Sequence, residues 1–139
     1  MASISALRDA IQGKLPATIH AYDVASGREQ MRLPVGIVFP RPPRGGAHAV
    51  SGCTEMHEFV VEVHVGMAQG LPRAQDMLDS FISTSGTNSI STALETDKTL
   101  GAVVDTCVVD AFEAYNFGLL NGVDTLMARV PVTVWLDVS

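Results

Sequence analysis

Cys53 and His57 stand four positions apart, with His48 and His64 nearby. Thiol and imidazole side chains at such spacing are familiar metal ligands, but zinc sites are usually built from two such pairs and the chain has no second one. No metal and no cofactor are therefore expected. Cys107, the other cysteine, lies in an apolar run. Two cysteines make no disulfide scaffold, and in a reducing compartment both read as free thiols. The search for catalytic groups is equally negative. Gly45-Gly46 lacks the strand and helix that a phosphate-cradling loop needs. There is no G-x-S-x-G elbow, and His57-Glu58 opens like H-E-x-x-H without the second histidine. Asp76 and Asp79, three apart on one helix face, read as a solvated outer face, with Asp76 favourable near a helix N-terminus. Asp105 and Asp110, five apart in a strand, point to opposite faces. No catalytic residue is assigned, and the chain is read as a non-enzyme.

The elements that would position these residues follow from periodicity. Ile4, Leu7 and Ile11 predict an amphipathic helix from Ser3, a candidate N-cap, to Gly13. A short strand is expected over Leu15–Asp23 and a polar loop with Arg28 and Arg32 over residues 24–33. Pro34–Pro40 reads as a strand held between prolines. Residues 41–53, rich in Pro and Gly and without a period, read as a long contact loop carrying Arg41, Arg44 and His48. Glu55–Gly66 alternates, with Phe59, Val61, Val63 and Val65 on a buried face and Glu58, Val60, Glu62 and His64 on the other, which is open to solvent or a neighbouring subunit.

Pro72 opens a second helix over residues 72–84, with Ala74, Met77, Leu78, Phe81 and Ile82 at helical spacing. Asn88 or Ser89 caps a third, running to about Leu94. Two long β segments close the chain, Val103 to about Phe117 and Val123–Asp137, joined through Asn121-Gly122 as a hairpin. Pro131 cannot donate a ladder hydrogen bond, so the last strand is expected along a sheet edge or bulged there. A long edge needs a partner, which favours assembly. Trp135 reads as a packing residue or, facing outward from that edge, as an interface anchor. The order predicts one α+β domain over residues 1–139: a mainly antiparallel sheet with a long C-terminal hairpin and two to three helices on one face.

At 139 residues, 47% hydrophobic and 17% charged, the chain is sized for a single core and too apolar for disorder. It has no membrane-length apolar run and no basic stretch followed by a hydrophobic one at its start, so a cytoplasmic protein is expected. The net charge of −6 argues against a generic nucleic-acid binder. That total divides unevenly, +3 over residues 1–54 and −9 over residues 55–139.

The order of these motifs resembles the tail terminator (tail completion) proteins of phages with long, non-contractile tails. The resemblance rests on the first helix with Ile4, Leu7 and Arg8, the proline-bounded strand, Phe59–Val65, the helix holding Ala74-Gln75 and Leu78-Asp79, and the closing hairpin. Its most specific part is Ser85–Asp97 running into Thr99-Leu-Gly-Ala-Val103. The segment after Gly122, Val-Asp-Thr-Leu-Met, departs from the family pattern. The resemblance implies a hexameric ring at the head-proximal end of the tail tube. That ring would stop tube growth and offer its other face to the head-completion proteins of the neck, with DNA passing through unbound and no membrane involved. The protein would work in the virion and, during assembly, in the host cytoplasm. Arg28, Arg32, Arg41, Arg44, His48 and Trp135 are then candidate partner-interface residues. Glu58, Glu62, Asp105 and Asp110 are candidates for an acidic channel lining that repels phosphate. A stopper-type connector or another minor tail protein is the alternative. A small ligand-binding or metal-dependent domain using Cys53, His57 and His64 is the second.

Overall fold

β4 (Thr54–Gly66) and β7 (Val123–Asp137) form the spine of the structure, paired antiparallel without a break from Thr54↔Asp137 to Gly66↔Thr125. The computed structural model describes residues 4–22, 33–41, 49–51, 54–120 and 122–137. β2 (Val35–Arg41) pairs with the other edge of β4, antiparallel, and β1 (His20–Tyr22) adds to β2 in parallel. β3 (Ala49–Ser51) continues the β2 side of β4, while β5 (Thr106–Val109) and β6 (Ala114–Leu120) lie along the outer side of β7. The seven strands are thus five across.

Three helices cover one face: α1 (Ile4–Lys14), α2 (Leu71–Ile82) and α3 (Ile90–Thr96). Leu7 and Ile11, Ala74, Leu78 and Phe81, and Ile90 and Leu94 join Phe59, Val61, Val63 and Val65 in a single core with Leu126, Ala128, Val130, Val132 and Val134. This is the expected α+β architecture. Ser89 caps α3, its hydroxyl accepting from the Thr92 amide at 3.1 Å and donating to the Ser83 carbonyl at 2.5 Å. In α2 the period holds for Ala74, Leu78 and Phe81, but Met77 is 45% exposed on the flank.

Several boundaries differ from the sequence reading. Residues 15–19 form a turn rather than the start of a strand, with the Ile19 amide donating to the Pro16 carbonyl at 3.0 Å. This folds Leu15 and Ile19 onto Gly36 of β2, where a Cβ would lie 2.8 Å from Ile19 Cγ2. The expected loop over residues 41–53 contains β3, which is too short to show a period. The expected single strand from Val103 to Phe117 is two. β5 ends at Val109, and residues 110–113 swing outward before β6 resumes.

That interruption also corrects the placement of the last strand. β7 is interior, flanked by β4 on one side and β5 and β6 on the other. The Pro131 carbonyl accepts from the Asp110 amide at 3.0 Å, so the nitrogen that lacks a hydrogen faces the place where the neighbouring chain leaves the ladder. The irregularity sits in the partner strand, and on this side the unpaired edge among the described residues passes to β5 and β6.

One turn holds backbone strain. Leu100, Gly101 and Ala102 have φ of 51, 73 and 68. Asp97 pins the turn by accepting from the Thr99 hydroxyl (2.7 Å), the Thr99 amide (3.2 Å) and the Gly101 amide (3.0 Å). These bonds, led by the Thr99 hydroxyl, draw the Asp97 carboxyl down to about 2. The turn drives Leu100 into the core, 2% exposed. Ala102 is exposed, so its left-handed backbone is strain without compensating burial, worth roughly 1–2 kcal/mol. Ala102→Gly relieves that strain at the cost of a looser unfolded chain, a net gain of about 0.5–1 kcal/mol. Calorimetry should show Tm rising by about 2–4 °C. A fall in Tm would mean that Ala102 is not strained.

Candidate functional site

β6 and the start of β7 continue past the end of β4, making a two-stranded arm. β4 stops at Gly66 opposite Thr125, while the β6–β7 ladder runs on through Leu119↔Asp124 to Leu120↔Val123. The turn closes through Gly122 at φ 79, a left-handed position that suits the hairpin type anticipated from Asn121-Gly122. Tyr115, Phe117 and Leu119 alternate onto the helix side, because Tyr115 and Phe117 sit opposite the core residues Ala128 and Leu126. Tyr115 is partly covered and donates its hydroxyl to Asp79 of α2 at 2.8 Å. Burial and the Asp79 carboxylate push this phenol up to about 12, so it remains a donor. Beyond it the cover ends. On this face Phe117 is 70% exposed and Leu119 68%; Val123, paired with Leu120 and so on the other face, is 51% exposed. Exposed apolar side chains along the end of a hairpin are the mark of a contact surface.

The second face of the sheet carries most of the other described candidate residues. Among the described residues no helix packs on it. Glu58 and Glu62 lie on this face of β4, with Thr133 and Arg129 opposite them on β7. The face is not the open acidic one expected from alternation. His64 is 2% exposed, and Glu58, Val60 and Glu62 are half-buried. The His64 ring bonds the Thr125 hydroxyl through Nδ1 at 2.7 Å and Glu62 through Nε2 at 2.8 Å. Arg129 Nε donates to the other Glu62 oxygen at 2.9 Å. The His64 bond, assisted by Arg129 and opposed by burial, holds the Glu62 carboxyl below its usual range. Glu62 is thus a neutralised charge.

The remaining candidates are dispersed. Asp105 and Asp110 are exposed just outside the two ends of β5 rather than within a strand, and they do not join Glu58 and Glu62 in one cluster. Arg41, at the end of β2, is held by Glu113 at 3.0 Å. Trp135 is half-buried on interior β7, between Met56 and Thr106, and so is not on an edge. Arg28, Arg32, Arg44 and His48 lie outside the described residues, as does Cys53. His57 and His64 are seven residues apart on β4, on opposite faces and about 23 Å apart along the strand at ~3.3 Å per residue. Among the described residues no group of three or more His, Cys, Asp or Glu could hold a metal, and no helix is long and apolar enough to cross a membrane. Cys107 is buried, its thiol facing the Leu94 carbonyl at 3.7 Å, and burial pushes that thiol up.

By its architecture the chain is an α+β protein, three helices on one face of a mainly antiparallel sheet with an apolar hairpin arm. Compared with known proteins, it matches no family model and no curated sequence.

Proposed function

We propose that this chain is a structural assembly protein that caps the head-proximal end of a phage tail tube as a ring, ending tube growth and providing the joint to the neck. The observation that carries this reading is the arm. It presents exposed Phe117 and Leu119 on β6, a strand whose outer edge is unpaired among the described residues. Identical copies that meet through different patches can close into a ring and so cover such edges. The motif order supports the terminator role within that class. DNA would pass through the ring without specific binding, and the −9 balance of residues 55–139 is compatible with an acidic lumen.

Native mass spectrometry and negative-stain imaging of the protein, alone and with purified tail tubes, test the reading. Six-fold rings, or a monomer that closes into rings only at one end of tubes, are expected. A stable monomer that leaves tubes uncapped overturns it. Rings that bind the head-side connector but ignore tubes would assign the chain as a stopper.

A further inference from the structure

A cleft lies against α2 on the flank away from its own arm. Arg73, Met77 and Ser80 form one wall of the cleft, facing Leu33, Pro34 and Ala68, and its volume is ≈ 490 Å³. Asp79, which holds Tyr115 of β6, lies on the opposite flank of the same helix. The Tyr115–Asp79 bond anchors a chain's own arm on that other flank. We propose that the cleft receives the arm of a second copy, with Phe117 and Leu119 seated between α2 and the Leu33–Pro34 rim.

Size and charge both favour this occupant. The side-chain carbons of one Phe and one Leu take up about 330 Å³ at roughly 30 Å³ each, the share of a water molecule in the liquid. They fit the larger cleft and do not fit the second one, ≈ 260 Å³, lined by Phe81, Ile90 and Phe112. Asp124, directly opposite Leu119 in the arm, is exposed and has no ion-pair partner among the described residues. Arg73, which lines the cleft together with Asp76, is likewise exposed and has no ion-pair partner among the described residues. Seating Leu119 brings the two charges to the same rim. Arm and cleft are different patches of one surface, so the contact is head-to-tail and must either close into a ring or propagate.

The inference rests on the ring reading above, and disulfide trapping separates the two. In a Cys53→Ser background, Leu119→Cys protein is mixed with Met77→Cys protein and oxidised mildly; both positions are exposed, so the fold is not at issue. A cross-linked dimer in the mixture, with neither protein cross-linking alone, is expected. The double variant Leu119→Cys/Met77→Cys should give a ladder of oligomers. Dimers from Leu119→Cys alone would show a symmetric tip-to-tip contact and overturn the proposal, as would no cross-link in any mixture. Arg73→Asp or Asp124→Arg alone should weaken association about tenfold or more, and the two together should restore it; absence of rescue also counts against the contact. Rings on tubes without these cross-links would leave the terminator reading standing and remove the arm-in-cleft contact. Cross-links in a protein that never caps tubes would do the reverse.

Discussion

Phe59→Ala lowers the free energy of unfolding by about 3–5 kcal/mol, the range for emptying an aromatic from a packed core. Phe59 is 1% exposed at the middle of β4, with Pro40 on one side and Val132 on the other. It belongs to the same core cluster as helix residues Leu78 and Phe81. Strand backbones on both sides are fixed by long ladders, which limits how far the site can collapse on the void. Against a total stability of ~5–15 kcal/mol, this loss leaves a marginal protein at best. Urea unfolding followed by circular dichroism measures it through the midpoint at unchanged slope. A loss under about 1 kcal/mol would show that β4 is not the centre of the core. Met77→Ala is the internal comparison: nearly half exposed, it should cost much less.

What could be read from the residues, and what could not, divides along a physical line. β4, α2 and the closing hairpin were legible because each is long enough for its period to show, and because Pro72, Ser89 and Asn121-Gly122 mark ends by backbone chemistry. β1 and β3, three residues each, have no period to detect. The division of β5 from β6 falls opposite a proline in a different strand, Pro131, whose nitrogen has no hydrogen to donate to the neighbouring strand. The site was legible only in outline. A hairpin ending the chain could be foreseen, but alternating apolar residues look the same whether a helix covers them, as at Tyr115, or nothing among the described residues does, as at Phe117 and Leu119. The Leu33–Pro34 rim and the flank of α2 are far apart in sequence, so their cleft had no local signal. Met77 was misplaced for a related reason: it lies at the border of the apolar stripe, where a one-residue rotation decides burial.

His64→Leu should cost about 2–3 kcal/mol despite replacing a buried polar ring with a hydrocarbon of similar size. Alternation places His64 on the outward face of β4, yet its ring is 2% exposed and bonded at both nitrogens. Nε2–H donates to the Glu62 carboxylate, and Nδ1 bonds the Thr125 hydroxyl. Thr125 is fully buried, so leucine leaves its hydroxyl without a partner, and an unsatisfied buried polar group costs about 1–3 kcal/mol. Glu62, 16% exposed, also loses one of its two supports and keeps Arg129. The companion variant Glu62→Gln locates the charge. With its carboxyl held below the ordinary value of 4.5, Glu62 contributes stability that is fully present above pH 4.5 and is lost as pH falls through the folded value. The stability gap between the parent and Glu62→Gln should therefore be widest at neutral pH and narrow below about pH 4.5 in urea titrations. A gap that stays constant or widens in acid would mean that Glu62 gains nothing from ionisation. The node links β4 to β7 next to the base of the arm, since Thr125 stands opposite Gly118 of β6, where a Cβ would lie 3.0 Å from the Thr125 hydroxyl oxygen. Loss of His64 should thus loosen the arm before it unfolds the core, and hydrogen exchange at Phe117–Leu120 should speed up more than at Val61–Val65.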